Sequence, residues 1–342
     1  MEKVLVAMSG GVDSAVAALR LCEQGFSVEG VTLCLIPEKS DDQKAKTVCQ
    51  KLGIPHNTLH LENEFAQLVQ KPFADAYFAG LTPNPCVICN KKIKFGALMD
   101  YAQKRGFDKL ATGHYAKTET ADGETYIAKS ADVTKDQTYM LWQLDKSVIQ
   151  KVIFPLGDYL KSQNRQKAEE YGLFNAQSPD SQDICFIEDG DYAGFIEKFT
   201  GKKSPCGEFV NSAGEVLGRH QGIIRYTVGQ RKGLGIALGA PAFVTGKDAK
   251  TGKVTLGKEE DLFYNKVILE NVNMFVPQND FTVTAKLRYS QKEYPAKLKV
   301  SGKDGILYFE TPQRAPAPGQ TAVFYRDGLL LGGGIIVKGE KQ

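Results

Sequence analysis

Several things are scarce in this chain, and each scarcity excludes a class. No apolar run approaches the ~20 residues that a membrane helix needs. The N-terminus, MEKVLVAMSGG, is apolar for about one strand before it meets glycines, so it does not read as a secretory leader and a cytoplasmic protein is expected. Cysteine is sparse: seven in 342 residues, an odd and scattered set that argues against a disulfide scaffold and for a reducing compartment. Histidine is rarer still, with His56, His60, His114 and His220 dispersed along the chain. Neither a repeat nor a low-complexity tract is present, only the short polar tail KGEKQ. The two common glycine-rich nucleotide signatures, G-x-x-x-x-G-K-[ST] and G-x-G-x-x-G, are absent as well.

Net charge is only +3, yet it is unevenly placed. Residues 201–342 hold 21 basic and 13 acidic side chains, whereas residues 1–200 hold 22 and 27. A basic C-terminal part hints at a polyanionic partner.

The first third alternates strand and helix. VLVAM (4–8), FSVEGVTLCLI (26–36), IPHNTLHL (54–61) and FDKLATGHYA (107–116) read as strands, the last running into a loop. AVAALRLCEQG (15–25), QKAKTVCQKLG (43–53), residues 65–78, 93–105 and 164–173 read as helices. This order predicts an α/β fold with a doubly wound parallel sheet. From Gly201 onward, short β-rich runs and turn residues predict two smaller β-rich domains, the last a β-barrel. The expected divisions are 1–200, 201–262 and 263–342. Cys22, Cys34 and Cys49 fall in apolar patterns and read as small core residues. Trp142 and the aromatics around it also read as core.

SGGVDS (9–14) directly follows the first strand and opens the first helix. Gly10 and Gly11 let backbone approach an anion, and the helix N-terminus would hold phosphate. Ser9 and Ser14 offer hydroxyls, and Asp13 offers a helix cap or an orienting group for magnesium. Ser-Gly-Gly alone is only a tight turn; the full six-residue pattern after a first strand resembles the pyrophosphate loop of ATP pyrophosphatases.

TPNPCVICN (82–90) holds Cys86 and Cys89 as C-x-x-C. A closed zinc site needs further ligands, and no second pair is present. The helix reading that follows Cys89 places Lys91, Lys92 and Lys94 nearby, which favours its thiolate. Cys185, in DSQDICFIED, is either an inert core thiol or a second reactive one.

SGGVDS, TPNPCVICNKKIKF, ATGHYA, KDQTYML, DSQDICFI, HQGIIRYTVGQRKGLG and LRYS occur in this order over residues 4 to about 325. Together they resemble the tRNA-specific 2-thiouridylase (MnmA/TrmU) family. The resemblance implies an ATP-dependent tRNA-uridine 2-sulfurtransferase acting on the wobble uridine, with ATP and Mg2+ required. Ala7, Met8, Ser9, Gly10, Gly11, Val12, Asp13 and Ser14 would hold ATP, with Leu33 and Gly113 at the adenine and ribose. Cys89 would be the nucleophile and Cys185 the persulfide carrier, and the two would pair as a disulfide. Asn84, Pro85 and Cys86 would line the target base. His114, Lys135, Asp136, Gln137, Arg288, Tyr289 and Gln320 would contact tRNA. KLRYSQK (286–292) reads as a β segment on which Arg288 and Tyr289 alternate faces with apolar neighbours, which suits RNA contact. The partners implied are tRNA and a persulfide-donating carrier protein, with no membrane. Many relatives carry Asp where this chain has Cys86. Cys86, Cys89 and Cys185 could alternatively bind an iron–sulfur cluster with one open iron.

Overall fold

A computed structural model describes residues 1–37, 42–121, 123–173, 183–276 and 280–341. Asp180, Ser181 and Gln182 of the DSQDICFI block lie outside them. Two compact units emerge: Met1–Val69 with Cys86–Gln182 and Asp327–Leu330, and Gln70–Pro85 with Asp183–Arg326 and Leu331–Gln342.

The first unit is built on β1 (Lys3–Ala7), β2 (Ser27–Cys34), β3 (His56–His60), β4 (Lys109–Ala111) and, after a β5–β6 hairpin (Lys117–Ala121, Glu124–Ala128), β7 (Val152–Ile153). The sheet order is β3-β2-β1-β4-β7, and each pairing is parallel. Such a sheet buries both faces, which is why Val4, Leu5, Val6 and Leu110 are all fully buried. Helix α1 (Val12–Glu23) and helix α2 (Gln43–Leu52) pack on it through Val16, Ala17, Leu21, Ala45, Val48 and Cys49. Cys34 and Cys49 are core, as expected, and Cys22 packs against the same cluster. Gly53 ends α2 at φ +67°, a left-handed position that glycine takes without a Cβ penalty. The chain order reverses between β2-β1 and β4, so the switch point of the sheet lies at the carboxyl end of β1.

The second unit is β-rich. Its smaller sheet joins β8 (Gly207–Val210), β9 (Val216–His220), β10 (Phe243–Asp248) and β11 (Lys253–Gly257) in the order β10-β11-β8-β9. The larger structure comprises β12 (Phe263–Met274), β13 (Asp280–Lys286), β14 (Tyr294–Ser301), β15 (Asp304–Arg314), β16 (Thr321–Arg326) and β17 (Leu329–Glu340). These run β12-β15-β14-β13-β16-β17, and pairing of β12 with β17 closes them into a six-stranded barrel. Inward positions alternate along each strand, so Val267, Leu269, Val283, Ala285, Leu298, Leu307, Phe309 and Phe324 fill its interior.

Two local expectations need correction. The helix read from residue 93 begins at Pro85 and runs through Lys104, with π-helical turns over Asn90–Ala97. Asn84-Pro85 is its start signal, because proline suits the first helical position, where no N–H is needed. Arg288 and Tyr289 lie in the turn after β13 rather than on a strand.

Candidate nucleotide and sulfur-transfer site

The glycine turn after β1 is shaped by its own side chains. Ser9 N donates to Ser14 Oγ at 3.2 Å, Gly11 N to Ser9 Oγ at 3.4 Å, and Ser14 Oγ to Gly11 O at 3.1 Å. Gly10 has φ +76°, and a Cβ there would stand 2.8 Å from Lys44 Cβ. Met8 is tied to β2, donating to Val31 O at 2.8 Å and accepting from Thr32 Oγ1 at 3.0 Å. Ala7 and Val12 flank the turn, and Leu33 lies near the carboxyl end of β2. Gly11 is the residue preceding α1, so Asp13 falls in the first turn and is not the cap. The first N–H groups of a helix have no intrahelical acceptor and carry its positive end, which suits this turn to an anion. Gly113, after β4, completes it: a Cβ would sit 2.9 Å from Ser14 N and 3.0 Å from the Asp13 carbonyl carbon. Only glycine lets the two loops approach so closely.

Asp13 is the head of a network that the sequence did not reveal. Lys161 Nζ lies 2.7 Å from both Asp13 oxygens, and Tyr115 OH donates to Asp13 Oδ1 at 3.0 Å. Asn164 Nδ2 donates to Tyr115 OH at 3.1 Å. Arg20 donates to Asn164 Oδ1 through Nε and Nη2 at 3.1 and 3.0 Å, and its guanidinium lies 3.3 Å from the Tyr159 ring centroid. Burial, then the Asp13 charge, pushes the Tyr115 phenol far up, so it stays a donor. Serine hydroxyls, helix N–H groups and a lysine fit a polyphosphate. Lys161 and Tyr115 already hold the Asp13 carboxylate, so a magnesium ion there would share it with them or displace one of these bonds.

Cys86 and Cys89 lie one turn apart on the helix Pro85–Cys89. Cys86, half-buried, occupies the first turn, and Cys89, buried, sits deeper. Because the helix begins at Pro85, it is Cys86 and not Cys89 that stands at its N-terminal end. Cys185 is exposed. Among the described residues, the one group of three or more metal-type ligand atoms within 4.8 Å of one another is Cys34, His60 and Glu62. There His60 Nδ1 and Glu62 Oε1 already share a 2.8 Å hydrogen bond.

His114 is buried and shares a 2.7 Å hydrogen bond with Thr112 Oγ1. Burial and the Lys94 charge hold its pKa well below the usual imidazole value, so it is neutral. Asp136 accepts from Ser130 N at 2.9 Å and from Thr138 N at 3.2 Å, and burial raises its pKa. Gln137 Oε1 accepts from Tyr115 N at 3.0 Å, while Lys135 N donates to Asp132 O at 3.0 Å. In the second unit, Asn84 and Pro85 are half-buried and buried. Gln320 Nε2 donates to Thr82 O at 2.8 Å. Arg288 Nη2 donates to Val228 O at 2.8 Å and Ala315 O at 3.2 Å. Tyr289 is 40% exposed, with the Lys286 ammonium 5.3 Å from its ring centroid.

A parallel sheet with a serine-lined anion turn at its switch point defines a nucleotide-binding α/β class, and residues 2–189 match the tRNA methyl transferase HUP domain family. Residues 193–258 match the tRNA methyl transferase PRC-barrel domain, and 264–336 the aminomethyltransferase beta-barrel domain. The chain is 44% identical over 362 residues to the tRNA-specific 2-thiouridylase MnmA of Treponema denticola, covering 99% of each chain. It is 45% identical over 350 residues to tRNA-specific 2-thiouridylase MnmA 1 of Clostridium tetani, covering 98% of this chain and 96% of that one. The chain belongs to the tRNA-specific 2-thiouridylase MnmA family. A crystal structure of a 4-thiouridine synthetase–RNA complex with bound ATP is also similar, at 20% identity and TM-score 0.41 over 58% of this chain and 50% of that one.

Proposed function

We propose that the protein is an ATP-dependent tRNA-uridine 2-sulfurtransferase. It adenylates the 2-oxygen of the wobble uridine and replaces it with persulfide sulfur, giving 2-thiouridine, AMP and pyrophosphate. What carries the reading is kinship with the 2-thiouridylases along almost the whole chain. The matched domain families are described for tRNA methyl transferases, but kinship with the 2-thiouridylases and two candidate thiols, Cys89 and Cys185, favour sulfur.

The residues divide the work as follows. Ala7 to Ser14 grip the ATP phosphates, with Leu33 and Gly113 at the adenine and ribose. Lys161 adds positive charge beside Asp13 and the phosphate loop. A magnesium ion held by the ATP phosphates would supply charge neutralisation there. The uridine carbonyl is a poor electrophile; adenylation turns its oxygen into part of a good leaving group. The base leaves the anticodon stack and meets Asn84, Pro85 and Cys86. His114, Lys135, Asp136, Gln137, Arg288, Tyr289 and Gln320 serve tRNA contact directly or by shaping the surface that makes it.

Sulfur arrives from a carrier protein as a persulfide on Cys185. Its terminal sulfur attacks the activated carbon and expels AMP. The Cys89 thiolate then attacks the Cys185 sulfur, which frees the thiocarbonyl and leaves a Cys89–Cys185 disulfide for an external thiol to reduce. Alternatively, Cys89 first releases sulfide from the persulfide, and the sulfide attacks. Domains at 1–200, 201–262 and 263–342 would divide catalysis from RNA binding. No helix among the described residues is long and apolar enough to cross a membrane.

An iron–sulfur cluster on Cys86, Cys89 and Cys185 is the second reading, favoured by the i, i+3 placement of the first two. Neither unit alone holds all three thiols, and no step above needs the cluster. Anaerobic purification with an iron assay separates the readings: a colourless, iron-free, active enzyme excludes it. The main test is mass spectrometry of tRNA nucleosides after incubation with ATP, magnesium and a persulfide donor. Absence of 2-thiouridine with the wild-type chain would refute the proposal.

A further inference from the structure

The segment Leu81–Pro85 contains two of the residues assigned above to the target base, and distant side chains hold its backbone. Leu81 N donates to Ala76 O at 2.9 Å, and Thr82 N donates to Pro318 O at 2.8 Å. The carbonyls are taken from two separate β structures. Gln320, between β15 and β16, donates its amide to Thr82 O at 2.8 Å and to Pro83 O at 3.4 Å. Lys247, on β10, donates its ammonium to Tyr226 O at 2.8 Å and to Leu81 O at 3.3 Å. Gly319, at φ +88°, lets the barrel loop touch the segment directly: a Cβ would stand 2.9 Å from both Leu81 Cβ and Thr82 N. Every residue named here belongs to the second unit.

Lys247 is the odd member. Ammonium groups are strongly hydrated and usually stay in water or meet a carboxylate. This one lies 5.7 Å from the Tyr77 ring centroid on a partly buried residue, and desolvation lowers its pKa to about 8. A charge kept under that penalty opposes folding, and a hydrocarbon side chain of similar length would remove the penalty. Its hydrogen bonds go to backbone carbonyls at a loop junction, one of them in the target-base segment. Lys247 thus places a desolvated charge on the backbone of that loop, where its two hydrogen bonds fix the course of the chain.

We infer that Lys247 and Gln320 are positioning residues for thiolation: together they lock the backbone of Leu81–Pro83, so that Asn84 and Pro85 present one fixed surface to the extruded uridine. This rests on the proposed assignment of Asn84 and Pro85 to the target base. Neither positioning residue touches the reacting atoms. Without them the segment samples several conformers, and the cost falls on the rate of the bound complex rather than on tRNA affinity.

The test compares Lys247→Met, Lys247→Arg and Gln320→Ala in the full chain. Three readouts are taken: hydrogen exchange across residues 81–85, tRNA Kd, and the single-turnover thiolation rate at saturating ATP and tRNA. In Lys247→Met the Thr82 amide exchanges faster, thiolation slows about tenfold, and tRNA Kd stays within about twofold. Lys247→Arg restores part of the rate. Gln320→Ala also speeds Thr82 exchange and slows thiolation, less strongly; because Gln320 is itself assigned to tRNA contact its tRNA Kd is free to rise, and its exchange rate decides the matter should Lys247→Met not fold. Unchanged exchange with an unchanged rate overturns the inference, as does a loss in Lys247→Met that appears wholly as weaker tRNA binding. The exchange readout is independent of sulfur chemistry. A wild-type chain that makes no 2-thiouridine, while Lys247→Met still loosens residues 81–85, overturns the proposed function and leaves the brace intact.

Discussion

The turn at residues 9–14 and the segment at residues 81–85 both lead into helices, yet they are held in opposite ways. The first is nearly self-sufficient: Ser9, Gly11 and Ser14 bond to one another within six residues. The second is fixed by partners far along the chain, Lys247, Pro318 and Gln320. A self-bonded turn is preorganised for a small, constant ligand such as a polyphosphate. A segment held by long-range contacts is tied to the β structures that supply them, which suits a site required to act only on a large, correctly seated substrate.

The largest expected effect comes from removing the thiol beyond the second segment. Cys89→Ser should reduce 2-thiouridine formation to background while ATP affinity stays within about twofold, read by nucleoside mass spectrometry and nucleotide titration. Next comes a matched pair of glycine substitutions. Gly113→Ala drives a Cβ to 2.9 Å from Ser14 N, and Gly319→Ala drives one to 2.9 Å from Thr82 N. Each should cost about 1–3 kcal/mol of stability by overpacking, measured by denaturant unfolding. They should part in function: Gly113→Ala weakens ATP about tenfold, whereas Gly319→Ala leaves ATP binding alone and slows thiolation. Equal effects on ATP would erase the contrast between the two regions.

The smallest effect is a pH slope. His114 stays neutral in the folded chain because burial and Lys94 hold its pKa well below the usual value. The unfolded chain takes up that proton as pH falls through about 6.5, and the folded chain does not. The contribution is therefore fully present above about pH 6.5 and is lost on acidification toward the folded pKa, by at most about 1.4 kcal/mol per pH unit. The stability gap between wild type and His114→Asn should shrink between pH 7 and 5.5 in urea titrations.

The contrast also marks what sequence could reveal. SGGVDS was legible because its determinants are contiguous, and so were β1, the Gly53 stop and the barrel strands with their alternating pattern. The sulfur helix begins earlier than the 93–105 reading, although Asn84-Pro85 announces its start. Nothing local marks Lys161, Tyr115, Asn164 and Arg20 as one network, since their hydrogen bonds span 49 to 148 residues. Lys247 carried no signal either: on a β strand it reads as an outward-facing lysine, and only the fold puts its ammonium against Leu81 O and Tyr226 O. Arg288 was read as an RNA contact on a strand, whereas its guanidinium also holds two loop carbonyls from a turn.

Activation of a uridine oxygen by ATP is the step on which the functional reading turns. The direct measurement uses tRNA carrying oxygen-18 at the 2-position of the wobble uridine, with the AMP product weighed after one turnover. The account predicts AMP heavier by one oxygen-18 for each 2-thiouridine formed; unlabelled AMP beside thiolated tRNA would contradict it.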